Sequence, residues 1–316
     1  FRSSKNIMIG DSTKVDLTER QKVQENVRDR VLWLSTAIVH WANNVRLNPG
    51  GVKVGGHQAS SASSVAILSS LFFEIMDYRD RVAIKPHASP VFHAIQYLLG
   101  NLPQEYLERF RDFGGLQAYP SRTKDPDYVD FSTGSVGLGA VAPNFAWLAE
   151  EYVRDHLDPS SGADRRFISL VGDAELDEGV VWESIADPSL MDLKNVLWVV
   201  DLNRQSLDRI IPGIRVKVWR EMFEANGWKV IEAKYGHKLH SAFSQPDGEL
   251  FRKSIDDMSN DLYQRLLRVD GTTLREWLPR ASDSPEKLTA FLGQWDDNEL
   301  VDIFNDLAIF FILNVK

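Results

Sequence analysis

The chain has 316 residues, 43% of them hydrophobic and 26% charged, with a formal net charge of -9. That balance is the one expected of a packed globular chain, either one large α/β domain or two modest ones, and it rules out wholesale disorder. The acidic surplus excludes nucleic acid as the main partner, because phosphate backbones require a basic face, and the lack of cysteine excludes disulfides, thiolate zinc sites and cysteine nucleophiles.

Residues 1–16 are polar and read as an irregular arm, without the apolar run of a signal peptide. No apolar run approaches the ~18 residues of a membrane span, so a cytoplasmic protein without membrane contact is expected. Residues 17–46 carry a helical pattern begun by Thr18 as N-cap, with Val23, Val27, Val31, Leu34 and Ile38 at helical spacing. Asn48-Pro49-Gly50-Gly51 breaks it, and the loop Val54-Gly55-Gly56-His57 leads into a second helix over 60–77. Residues 85–90 form a loop, 91–99 a helix, and 114–132 a long loop. Gly-rich residues 132–139 then open a helix that runs to about His156.

Residues 167–171 are the clearest strand, ending at Gly172-Asp173, and 196–200 the next, ending at Asp201. Both are near-continuous apolar runs with a helix over 178–186 between them, which is the signature of a buried parallel βαβ unit. A helix around 219–225 and a third strand over 228–233 extend the pattern. The fold class is therefore α/β, a doubly wound, mostly parallel sheet of about five or six strands flanked by helices. From His237 onward the chain is charged and helical with no further strong strand. Residues 307–316 are unusually apolar and find no place in the pattern.

Ligands of open parallel sheets sit at the carboxyl ends of strands. Asp173 and Asn203 stand at or just beyond two such ends, one βαβ unit apart, so both side chains can reach one edge of the sheet. A hard cation such as Mg2+ would be served there by a carboxylate, a carboxamide and a backbone carbonyl, with Gln205 the candidate for the last. Equally, Asp173 could cap the following helix and Asn203 form a turn.

The surrounding residues add a resemblance. Gly172-Asp173-Ala174-Glu175-Leu176-Asp177-Glu178-Gly179 and, downstream, Asp201-Leu202-Asn203-Arg204-Gln205-Ser206-Leu207-Asp208 resemble the thiamine diphosphate fingerprint, which begins Gly-Asp-Gly and ends in Asn after a βα unit. Gly55-Gly56-His57-Gln58-Ala59-Ser60, His87-Ala88-Ser89-Pro90, the Gly-rich 132–139 segment and Gly227-Trp228-Lys229-Val230 follow in family order. Together they are similar to the thiamine diphosphate-dependent transketolase superfamily, and within it to the N-terminal, diphosphate-binding domain of homodimeric pyruvate dehydrogenase first components, over roughly residues 20–300.

The resemblance implies thiamine diphosphate and Mg2+ as cofactors. It makes Asp173, Asn203 and the main chain of Gln205 the metal ligands. It places His57, Ser60, Val136, Gly137, Gly172, Asp173, Ala174, Glu175, Asn203 and Leu207 at the cofactor, with His57 and His87 in catalytic roles. It divides the chain into the arm at 1–16, a diphosphate domain over 17–300 and an atypical apolar tail over 301–316. It implies oxidative decarboxylation of a 2-oxoacid, with pyruvate foremost, and acyl transfer to the lipoyl groups of a partner acyltransferase. The expected assembly is a homodimer, completed by a pyrimidine-binding domain that does not follow in this sequence. The alternatives are a transketolase-like or split-gene subunit, or a non-catalytic cofactor-binding remnant.

Three positions depart from the family pattern. Ala174 replaces the second glycine of the fingerprint and is tolerable only at negative φ. Asp201 stands where pyruvate dehydrogenases often carry Asn, although transketolases often carry Asp there. Lys85 stands where Gln is usual, and reads as a surface lysine rather than a ligand for diphosphate or an acidic substrate.

Overall fold

A computed structural model describes residues 17–161, 164–202, 205–206, 209–210 and 214–315; the arm expected at 1–16 lies outside them. The chain divides into two compact units. One holds the described residues up to Asp77 together with His87–Tyr128, and the other holds Tyr78–Pro86 and the described residues from Val129 onward.

The first unit is helical. Helix α1 (Leu17–His40) runs into a single π turn (Trp41–Val45), so the periodic segment ends about where the sequence pattern does, although it starts one residue before Thr18. The second expected helix is broken into α2 (Gln58–Ala62), α3 (Val65–Ser70) and another π turn (Leu71–Ile75). Helix α4 (Ser89–Leu98) opens with Pro90 in its first turn, where a missing N–H costs nothing. Ile38 and Ala42 pack with Ala94, Leu102, Phe110 and Leu116 to form this unit's core.

The second unit carries the sheet. Its strands are β1 (Arg81–Ala83), β2 (Phe167–Gly172), β3 (Val196–Asp201), a short ribbon of β4 (Gln205–Ser206) and β5 (Arg209–Ile210), β6 (Trp228–Tyr235) and β7 (Leu307–Val315). The main sheet has the order β1-β2-β3-β7-β6, with β1, β2 and β3 parallel and β7 antiparallel to both β3 and β6. The apolar residues expected to form a tail are thus the end of a helix followed by a strand inside the sheet. Their place there corrects the expectation that no strand follows residue 237. Helices α5 (Leu138–His156), α6 (Gly179–Ile185) and α7 (Ile214–Ala225) accompany the sheet. Among the described residues no helix is long and apolar enough to cross a membrane.

Every residue of β2 is buried, which is why its sequence shows no alternation. Trp198 of β3 is fully buried, with its ring 5.2 Å from Trp228 and 6.0 Å from Phe223. Its indole N–H donates to Asn144 Oδ1 (3.0 Å), and Asn144 Nδ2 donates to Ser184 Oγ (3.0 Å), so α5, α6 and β3 share one satisfied buried polar chain. Ser169 Oγ donates to the Ala140 carbonyl at 2.9 Å and ties β2 to α5. At the opposite end of the strands, buried Asp80 accepts from Arg166 N (3.1 Å) and from its guanidinium (2.5 Å), which sets β1 against β2. A second core of Leu239, Phe251, Leu274, Leu288, Leu300 and Phe304 is built by α8 (His237–Phe243), α9 (Gly248–Asp256), α10 (Asn260–Leu266), α11 (Gly271–Trp277), α12 (Pro285–Leu292) and α13 (Asp297–Phe304).

Replacing Asn144 with Ala strands the Trp198 N–H in the interior. The expected loss is about 1–3 kcal/mol of unfolding free energy, read from urea denaturation. Unchanged stability would show that the bond contributes nothing.

Candidate active site

The candidate site is built on the carboxyl ends of β1, β2 and β3. Gly172 of β2 stands in register with Asp201 of β3, so the two strand ends that the sequence picks out do meet on one edge. Beyond Gly172 the chain tightens into a 3-10 turn, Asp173–Asp177, and both Asp173 and Glu175 are buried in it. The ribbon strand β4, which begins at Gln205, lies against this turn, so the Gln205 main chain is brought to the neighbourhood of Asp173. Asn203 and Leu207 lie outside the described residues.

Ala174 sits inside the 3-10 turn and is not among the residues with positive φ, so alanine is conformationally acceptable where the family pattern has glycine. Its N–H donates to Asp173 Oδ1 at 2.9 Å. Gly172 is tight for a different reason: a Cβ there would stand 3.1 Å from Lys85 Cδ.

Lys85 is the main correction to the sequence reading. It is not a surface lysine. It is 4% exposed and its Nζ donates to Asp201 Oδ2 at 2.6 Å, with the Asp201 side chain equally buried. Two departures that look independent in the sequence, Lys85 for Gln and Asp201 for Asn, are the two halves of one ion pair. The available signal was their coincidence.

Glu175 Oε2 accepts from the Gly172 N–H at 2.9 Å, while Oε1 is buried with no hydrogen-bond partner among the described residues. Burial pushes its carboxyl up to about 7; the Gly172 N–H and Lys85 pull it down, and the nearby charges of Glu178 and Asp173 push it up.

The Gly-rich segment behaves as its glycines suggest. Gly137 caps α5 in the left-handed region (φ 77°), and a Cβ there would meet Val181 at 2.9 Å and Glu178 at 3.1 Å. The N-terminal end of a nineteen-residue helix, with exposed Val136 just before it, is thereby packed against the start of α6, immediately after the acidic turn. Open backbone N–H groups at such an end favour anions.

The first unit holds the other expected residues. His57 is exposed and extended just before α2, and Ser60 within α2 is half-buried. His87 is exposed on a 3-10 turn, edge-on to Tyr119 at 6.0 Å. The sequence reading does not single out Arg111. Its Nη1 donates to the Val54 carbonyl at 2.7 Å, and its guanidinium faces Gly56, so it braces the loop that carries His57. Burial lowers its pKa, and its backbone is left-handed at φ 58°, a conformation that no sequence pattern announces.

The second unit's edge therefore combines a buried carboxylate at a strand end, a backbone segment beside it, a buried carboxylate oxygen on Glu175 without a partner among the described residues, and a close-packed Gly137. This donor set suits a hard cation carrying phosphate oxygens.

The family described as transketolase, thiamine diphosphate binding domain, matches residues 70–245, more than half of the chain, and the chain belongs to that family. It is 28% identical over 292 residues to the pyruvate dehydrogenase E1 component of Cupriavidus necator, covering 89% of this chain and 31% of that protein. It is 30% identical over 271 residues to the E1 component of Mycobacterium tuberculosis, covering 81% and 28%. The chain thus spans about a third of the length of the curated relatives it matches. A transketolase structure from Campylobacter jejuni superposes with a TM-score of 0.52 at 23% identity over 65% of this chain and 32% of that one, which supports the fold.

Two outcomes follow from the buried charges. Lys85→Gln alone removes the cation beside buried Asp201 and should cost roughly 3–5 kcal/mol, whereas Lys85→Gln with Asp201→Asn should recover most of it, as read by a urea double-mutant cycle; additive losses would overturn the pairing. Glu175, with a folded-state value near 7 against an ordinary 4.5, keeps a proton in the folded chain that the unfolded chain has already released. Its stabilisation is complete below the ordinary glutamate range and is lost as pH rises through about 7, by up to roughly 3 kcal/mol. Subtracting the pH–stability curve of Glu175→Gln from that of the wild type, in metal-free protein, isolates this slope; identical curves would refute it.

Proposed function

We propose that this chain is the diphosphate-binding part of a cytoplasmic thiamine diphosphate-dependent 2-oxoacid dehydrogenase acting on pyruvate. The observation that carries this reading is the convergence of Asp173, Glu175 and the Gln205 main chain on one strand edge, in a chain similar along most of its length to pyruvate dehydrogenase E1 components. The pyrimidine-binding domain would come from the remainder of a longer protein or from another chain, and the working form would be a homodimer that passes the acyl group to lipoyl groups of a partner acyltransferase.

In this reading Asp173, Asn203 and the Gln205 carbonyl hold Mg2+, which in turn carries the diphosphate. Val136, Gly137, Gly172, Ala174 and Leu207 line the cofactor, and Gly137 admits close backbone approach. His57 and Ser60 donate to diphosphate or substrate, and His87 donates a hydrogen bond to charge developing on the substrate oxygen. The cofactor, when bound, supplies an electron sink next to the keto carbon. In the metal-free chain burial holds the Glu175 carboxyl up, to about 7, which lessens the negative charge at this edge.

One observation favours a second reading. Asp201, here ion-paired with Lys85, matches a choice often made by transketolases, and a transketolase-like subunit completed by a separate chain would account for it.

Isothermal titration of thiamine diphosphate into the chain, with and without Mg2+, tests the site. Binding should require Mg2+ and weaken by at least about tenfold, ~1.4 kcal/mol, in Asp173→Ala. Binding independent of both would remove the reading, and binding with no turnover after any pyrimidine domain is added would leave a cofactor-binding remnant.

A further inference from the structure

The first unit contains a polar cluster that this function does not use. His93 on α4 is fully buried, and its Nδ1 lies 2.7 Å from Asp127 Oδ2, on a side chain equally closed to solvent. Two atoms of the pair, His93 Nε2 and Asp127 Oδ1, are buried without a hydrogen-bond partner among the described residues. Asp125, half-buried, completes the group: its two oxygens accept from Gln117 N at 2.7 Å and Ser121 N at 2.6 Å. One ligand atom from each of the three residues lies within 4.8 Å of the others.

The surroundings make this an uncomfortable place for negative charge. The rings of Phe92 and Phe110 stand 5.4 and 6.3 Å from the imidazole. Among the described residues no lysine or arginine pairs with either aspartate. Burial pushes the Asp125 carboxyl up, with His93 and the two backbone N–H groups opposing and Asp127 reinforcing. Two carboxylates thus share one imidazole in an aromatic-walled interior, and buried charge of this kind is ordinarily paired or bound to a metal.

We propose that His93, Asp125 and Asp127 form a binding site for a divalent transition-metal cation, Zn2+ or Mn2+, made of residues other than those assigned to Mg2+. An imidazole beside two carboxylates suits these ions better than Mg2+, which takes oxygen ligands and water. Two ligand atoms each about 2.1 Å from one ion stand at most about 4.2 Å apart, so the group draws in by at most several tenths of an ångström on binding. Asp125, reached by solvent, is the side chain with room to move and the route of entry. In the metal-free chain the 2.7 Å His93–Asp127 contact already holds these two donors side by side.

The test uses the full chain stripped with EDTA, without thiamine diphosphate. Zn2+ and Mn2+ are titrated separately by calorimetry, metal content is measured after desalting, and Co2+ provides an absorption spectrum. The expected result is one bound ion in both the wild type and Asp173→Ala. Affinity should fall at least about tenfold in His93→Gln and in Asp125→Asn, and the Co2+ visible bands should be lost in His93→Gln. Absence of retained metal in the wild type, loss of the ion in Asp173→Ala, or undiminished binding in the cluster variants overturns the proposal. Far-UV circular dichroism confirms folding. If His93→Gln does not fold, half-exposed Asp125→Asn decides alone.

Discussion

Three carboxylates converge where β2 and β3 end, and the protein must hold them there largely shielded from solvent. Asp173, Glu175 and Asp201 are all buried, and a single lysine is buried among them. Lys85 neutralises Asp201 directly and draws Glu175 partway toward ionisation, while Gly172 stays small enough for the lysine stem to pass. The price of such an ion pair is desolvation, so it argues for specificity of arrangement rather than for stability. It connects β1, which leads into Lys85, to β3, which ends at Asp201. The position of the metal-ligand candidate therefore rests on charge balance as much as on sheet pairing.

Much of this was legible in the residues. Strands β2 and β3 announce themselves as apolar runs because both faces of a central parallel strand are covered. The Gly-Asp turn and the glycines at 137 and 139 announce close backbone approach. The three-residue strand β1 did not show, since three residues carry no period. Strand β7 was visible only as apolarity, because its pairing partners are remote in sequence and nothing local assigns an orientation.

The site was legible in its residue types and less so in its electrostatics. Lysine is so seldom buried that an isolated Lys85 reads as surface, and only its partner more than a hundred positions away changes that reading. Arg111 was hidden for another reason: a left-handed arginine bracing a loop is a tertiary fact with no local signature. Asn203 and Leu207, both conspicuous in the motif, lie outside the described residues, so the Asp173 side of the candidate metal site is the side seen here.

The order β1-β2-β3-β7-β6 has a consequence for how the chain comes together. Strands β3 and β6 are not neighbours; between them lies β7, which follows both in sequence, with Leu197 pairing Asn314. During synthesis, β3 and β6 would each present an open edge until that strand emerges, and such edges are templates for wrong pairing. Closing them requires a contact of very long sequence separation, which is slow to form. The interior of the sheet thus closes only when β7, some seventy residues beyond β6, pairs with both neighbours.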